Sequence, residues 1–202
     1  MTVRDEPEDR WPVVSSQPRL RTWLLSVRTD RVRMPDGSEA ERDVVAHPGA
    51  VGILALDDAG RVLMIRQYRH PVGRLLWELP AGLRDHDGEA LADLARRELR
   101  EETGYAAREW HTLVDYYSSP GFSTERIRVF LARGLTELAD RDYEPEHEEA
   151  FLKVDWVPLE EAVRLVLAGQ LHNGAAVAGI LAGYAAASDG FTTLRPADAP
   201  EE

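Results

Sequence analysis

The stretch Glu89 to Glu102 constrains this 202-residue chain more than any other. Wound as a helix at about 100° per residue from Leu91, it puts Leu94 near about -60°, Ala95 near about +40° and Leu99 near about +80°. That arc is the face such a helix buries. Glu98 falls near about -20° and Glu102 near about +20°, in the middle of it, with Glu101 at the edge near about -80°. Glu89, Asp93, Arg96 and Arg100 take the opposite face, where solvent and i,i+4 ion pairs account for Glu89, Asp93 and Arg100. Two inward carboxylates one turn apart repel, and burying them unpaired is costly. A divalent cation removes both penalties. Carboxylate oxygens and waters suit magnesium or manganese, ions that take part of their shell from substrate phosphates.

Around this helix the pattern is mixed. Residues 1 to about 17 read as a flexible acidic arm. Strand-like runs follow at Arg21–Val27, Arg31–Met34 and Glu41–His47, with the turn Pro35-Asp36-Gly37-Ser38 between the second and third; this reads as a small antiparallel sheet. Val51–Leu56 and Val62–Arg69 read as strands of a hairpin across Asp57-Asp58-Ala59-Gly60. Leu75–Leu79, Trp110–Tyr117, Ile127–Ala132 and Phe151–Val157 read as further strands. Pro158–Leu167 and Gly174–Ala187 read as helices, the latter with Asn173 as N-cap. Without regular βαβ alternation, an α+β fold or a mixed-sheet α/β/α sandwich is expected.

The segment Gly82 to Tyr105 resembles the signature of the Nudix hydrolases: Gly, five residues, Glu, seven residues, then Arg-Glu-aliphatic-x-Glu-Glu-x-Gly-aliphatic. From Glu89 the match is complete, except that Tyr105 stands where an aliphatic is usual. Six residues separate Gly82 from Glu89 where the pattern has five, which predicts a bulge in the loop. Trp77-Glu78-Leu79-Pro80-Ala81-Gly82, the later Ser119-Pro120-Gly121-Phe122-Ser123 and Gln67-Tyr68-Arg69 are similar to the ADP-ribose pyrophosphatase subgroup. Glu41-Arg42-Asp43-Val44-Val45 looks like part of that subgroup's dimerisation strands.

The resemblance implies a Nudix-type α/β/α sandwich over residues 49–202, preceded by an arm and β-strand dimerisation domain over 1–48. It implies hydrolysis of ADP-ribose to AMP and ribose 5-phosphate, with Mg2+, or alternatively Mn2+, held by Glu98, Glu101, Glu102 and the Ala81 carbonyl. Arg42, Arg69, Glu78, Pro120, Gly121 and Phe122 become substrate-contact candidates. A general base is expected in Glu146-His147-Glu148-Glu149, at Glu149 first and Glu148 second, while Glu98 and Glu101 are alternative bases. Arg97 is expected to brace Glu98 or Glu89. The alternatives are a Nudix hydrolase of another nucleoside diphosphate sugar or a dinucleotide, and a non-catalytic ADP-ribose sensor.

Composition narrows the partners. With 24 basic and 36 acidic residues, a net of -12, general nucleic-acid binding is not expected, because phosphate attraction needs a basic face. The absence of cysteine excludes disulfides and thiolate metal sites. No apolar run reaches the roughly 18 residues of a membrane span, and the opening MTVRDEPEDRWP lacks the apolar core of a secretory signal. A cytoplasmic homodimer acting on a small anionic molecule is the expectation.

Overall fold

The structure is a computed structural model that describes residues 3–8, 11–86, 88–139 and 152–201. It divides into two compact units, Met1–Pro48 with Tyr117–Glu125, and Gly49–Tyr116 with Arg126–Glu202.

The first unit is an antiparallel sheet in the order β1-β2-β3, with β1 Val13–Arg21, β2 Ser26–Arg33 and β3 Glu39–Ala46. The strand boundaries differ from the sequence expectation. Residues 13–17 belong to a nine-residue strand and not to an arm. Residues 22–25, expected within a strand, form the β1–β2 turn, where Thr22 Oγ1 accepts from the Leu25 amide at 3.1 Å. The reason is that β1, VVSSQPRLR, is exposed along its whole length, so no alternation of apolar and polar residues marks it. Polar cross-strand contacts hold the sheet instead. Ser16 Oγ donates to the buried Asp30 at 2.6 Å, and Thr29 Oγ1 donates to Asp43 at 2.6 Å. Residues 117–125 join this unit along β3. The Val45 amide donates to the Phe122 carbonyl at 2.7 Å, and the Thr124 amide to the Val45 carbonyl at 3.0 Å.

The second unit has two sheets and three helices. A mixed five-stranded sheet runs β11-β8-β9-β4-β7, with β4 Ala50–Ala55, β7 Ala81–Leu83, β8 Tyr105–Tyr117, β9 Arg126–Glu137 and β11 Arg195–Pro196. In it β4 lies parallel to β9 and antiparallel to β7. A three-stranded antiparallel sheet runs β10-β5-β6, with β5 Arg61–Arg69, β6 Arg74–Glu78 and β10 Lys153–Pro158. The period of two decides which helix each residue meets. Val51, Ile53 and Ala55, with Phe130 and Ala132, pack against Leu94, Ala95 and Leu99 of α1, Leu91–Thr103. Leu54, Val129 and Leu131 share the opposite core with Leu159 and Ala162 of α2, Leu159–Leu167, and Ala176 and Ile180 of α3, Gly174–Ala187. This is the expected α/β/α sandwich, accompanied by the small separate sheet.

Three local outcomes bear on the site. The Asp57–Gly60 turn closes, with the Gly60 amide donating to the Asp57 carbonyl at 3.0 Å. The expected hairpin then ends after one bridge, Leu56 to Val62. Strands β4 and β5 are buried for most of their length, so each requires layers on both faces, and they part into different sheets. Helix α1 begins at Leu91, not Glu89, so Glu89 precedes the helix instead of lying on its solvent face. Asn173 caps α3 as expected, its Oδ1 accepting from the Ala176 amide at 2.9 Å.

Candidate active site

The chain leaves the smaller sheet at the end of β6, crosses Leu79-Pro80 and enters the larger sheet as β7. The Ile53 amide pins this crossing by donating to the Pro80 carbonyl at 2.8 Å. Helix α1 packs against β4 and β7, which brings its inward carboxylates to Ala81 and Gly82.

Glu102 is only 9% exposed, and one oxygen accepts from the Ala81 amide at 2.9 Å. Glu98 fills the space over Gly82. A Cβ added there would lie 2.2 Å from Glu98 Cδ and 2.3 Å from its Cγ and Oε1, well inside van der Waals contact. Glycine at 82 is therefore a steric condition for the Glu98 carboxylate to sit where it does. The sequence pattern contains this glycine, but its reason appears only with the fold.

Arg97 gathers the surrounding acids. Its Nη1 lies 2.8 Å from Glu98 Oε1 and 3.1 Å from Glu101 Oε2. Its Nε and Nη2 donate to the two Glu89 oxygens, each at 3.2 Å, and Asp85 stands 3.6 Å away. The Glu89 hydrogen bonds, against the cost of burial and with the charges of Glu98, Glu89 and Glu101, raise the guanidinium pKa above its ordinary value. The bracing role expected of Arg97 extends to both Glu98 and Glu89, and to Glu101 and Asp85, which sequence reasoning did not assign to it. Asp85 lies in the stretch between Gly82 and Glu89 that is one residue longer than the pattern.

Arg69 and Glu78 are brought together a few residues away in sequence. The Arg69 Nε and Nη2 donate to the Glu78 oxygens at 2.9 and 2.7 Å, and Glu78 is 1% exposed. This fork geometry is the strong form of the arginine–carboxylate pair. Arg42, Pro120, Gly121 and Phe122 belong to the first unit. Arg42 Nη1 donates to the Glu41 carbonyl at 2.8 Å, and Phe122 is exposed. Glu146, Glu148 and Glu149 lie outside the described residues.

The donor set is hard oxygen throughout, which fits a hard divalent cation. Among the described residues no three carboxylate or imidazole side chains converge closely enough to hold an ion alone. A cation there would complete its shell from backbone carbonyl, water or phosphate oxygens, as magnesium commonly does.

The α/β/α sandwich thus presents glutamates from one helix beside a strand that crosses between its sheets. The chain belongs to the Nudix family, whose NUDIX domain model matches residues 46–177. It is similar to the ADP-ribose pyrophosphatase of Mycobacterium tuberculosis (strain ATCC 25618 / H37Rv), 47% identical over 95% of this chain and 91% of that one. The ADP-ribose pyrophosphatase of Bacillus subtilis (strain 168) is 38% identical over 74% of this chain and 80% of that one. A crystal structure of an ADP compounds hydrolase shares the fold with a TM-score of 0.76 at 20% identity, covering 92% of this chain and 99% of that one.

Proposed function

We propose that this protein hydrolyses the pyrophosphate of ADP-ribose, giving AMP and ribose 5-phosphate, as a cytoplasmic homodimer that uses Mg2+. The observation that supports this most directly is the set of carboxylates on α1 facing Ala81 and Gly82, in a chain 47% identical to an ADP-ribose pyrophosphatase over almost its full length. Mg2+ held by Glu98 and Glu102 as the main ligands, with Glu101 and the Ala81 carbonyl completing shells beside water and phosphate oxygens, would neutralise the pyrophosphate charge and lower the pKa of bound water. Water adds to one phosphorus, the bond from that phosphorus to the bridging oxygen breaks, and the departing phosphate keeps that oxygen. Glu149, with Glu148 second, accepts the proton of the attacking water.

Arg69 would reach the phosphates while Glu78 holds its fork in one orientation. Arg42, Pro120, Gly121 and Phe122 remain substrate-contact candidates on their sequence resemblance alone. Arg97, in direct ion pairs with Glu98 and Glu101, would hold their carboxylates in position.

The test is product identification from ADP-ribose, with GDP-mannose and a dinucleotide offered in parallel, with and without Mg2+. Mg2+-dependent release of AMP and ribose 5-phosphate, at the highest kcat/KM of the panel, is expected. Preference for another substrate would overturn the ADP-ribose assignment, and binding without turnover of any of them would make the protein a sensor. Light scattering at micromolar concentration should give a dimer mass.

A further inference from the structure

The loop from Leu83 to α1 carries Glu89 and Asp85, two of the four acids that hold Arg97. Its first residue is itself held from elsewhere in the second unit. The Arg84 amide donates to the Gly49 carbonyl at 3.1 Å, and Arg84 Nη1 lies 3.0 Å from Glu201 Oε2.

Glu201 ends a segment that crosses the larger sheet at the strand ends from which this loop emerges. Arg195 and Pro196 pair with Thr112 and His111 as β11, and Thr112 Oγ1 donates to the Pro196 carbonyl at 3.0 Å. Ala197 packs into the α1 core. The segment then passes Arg128, which is 3% exposed on β9. Arg128 Nη1 donates to the Ala199 carbonyl at 2.6 Å and Nη2 to the Pro200 carbonyl at 3.1 Å. The same guanidinium grips Asp115 at 2.7 and 2.9 Å, and Arg195 Nη1 donates to Asp115 at 3.0 Å. A buried arginine spending two donors on backbone carbonyls of an otherwise irregular segment fixes that segment's path, because leaving those donors unpaired is costly. The segment therefore touches β8 through Thr112 and Asp115 and β9 through Arg128, and ends at Arg84 just beyond β7.

We propose that residues 195–201 are a strap that positions the signature loop, with Arg128 as the fastening residue and Arg84–Glu201 as the link. The positioning chain runs from Arg128 through the Ala199 and Pro200 carbonyls to Glu201, then to Arg84, the loop, Glu89 and Arg97. Arg97 in turn contacts Glu98 and Glu101. Arg128, Arg84 and Glu201 act only through these neighbours and touch no reacting atom. The consequence for catalysis rests on the metal-hydrolase reading above; the consequence for the loop does not.

The experiment is hydrogen–deuterium exchange on the full-length, metal-free protein, reading peptides over residues 83–89 and 195–201. It compares the wild type with Arg84→Met, Glu201→Gln, the double variant and Arg128→Met. Each exposed single substitution should speed loop exchange by about three- to fivefold, the scale an exposed ion pair supports. The double variant should exchange no faster than either single, because one link has been removed twice. Arg128→Met should loosen both peptides. In turnover assays the two single variants should raise the half-saturating Mg2+ concentration by about two- to fivefold with kcat nearly unchanged. Loop exchange at the wild-type rate in both single variants, or additive effects in the double, would overturn the strap. If Arg128→Met does not fold, the cycle at the exposed pair still decides. If the wild type hydrolyses none of the substrates, the functional reading fails and the exchange data alone judge the strap.

Discussion

Gly82→Ala separates chemistry from folding. The added methyl would meet Glu98 Cδ at 2.2 Å, where ordinary carbon–carbon contact is about 3.5 Å. The carboxylate must therefore retreat by about 1 Å or more. All three atoms in the way belong to the outer part of one long side chain, so the backbone can stay in place while Glu98 changes rotamer. The expected stability cost is at the low end for overpacking, about 1 kcal/mol. The chemical cost is larger. The 2.8 Å contact to Arg97 should be lost, and on the proposed reading of Glu98 as a metal ligand a displacement of about 1 Å should cost on the order of 100-fold in rate. Gly183→Ala is the control. Its methyl would meet Leu54 Cδ2 at 2.2 Å inside the core, so it should lower Tm while leaving the activity per folded molecule intact. The assay is AMP release under saturating Mg2+ beside thermal unfolding of each variant. Wild-type turnover in Gly82→Ala would refute the claim that Glu98 must lie over this glycine.

Glu98→Gln and Glu102→Gln should each lose most turnover while circular dichroism stays native; near-normal rates in either at saturating Mg2+ would contradict the ligand assignment. Glu149→Gln should lower kcat by about 100-fold with little change in KM, and Glu148→Gln should do much less; steady-state kinetics of the pair distinguishes them, and a reversed order would move the base to Glu148. Burial opposes ionisation of Asp115, but the hydrogen bond and charge of Arg128, with Arg195, outweigh it and hold the carboxyl below its ordinary range. Its contribution to stability is thus present above the unfolded value of about 3.9 and is lost as pH falls through the lower folded value. Urea midpoints measured from pH 6 down to pH 2.5 should fall more steeply in the wild type than in Asp115→Asn.

What could be read from the residue order follows the strength of local patterning. The α1 face was legible because Leu94, Ala95, Leu99, Glu98 and Glu102 obey one helical period, and their burial follows it. The start of α1 was not, since Glu89 continues the spacing yet is taken by Arg97 before the helix begins. Strand β1 escaped because its residues bury neither face, and only its hydrogen bonds to β2 define it. The β4–β5 turn was legible from Asp57 and Gly60, but the parting of the strands depends on helices that approach from distant sequence. The Arg69–Glu78 fork and the Asp115–Arg128 pair are cross-strand contacts. Residue spacing alone does not disclose them, because each depends on register or on which strands become neighbours.

The guanidinium of Arg97 gives the cluster a resident positive charge. On the proposed reading of Glu98 and Glu101 as metal ligands, a divalent ion would not meet an uncompensated well of carboxylates; it would share them with a counter-charge already in contact with both. Such sharing would favour a cation that arrives with phosphate oxygens of its own, since those add attraction that Arg97 has not already satisfied. Occupancy of the cluster would then rise with occupancy of the phosphate site, and the same carboxylates would resist scavenging stray monovalent ions between turnovers.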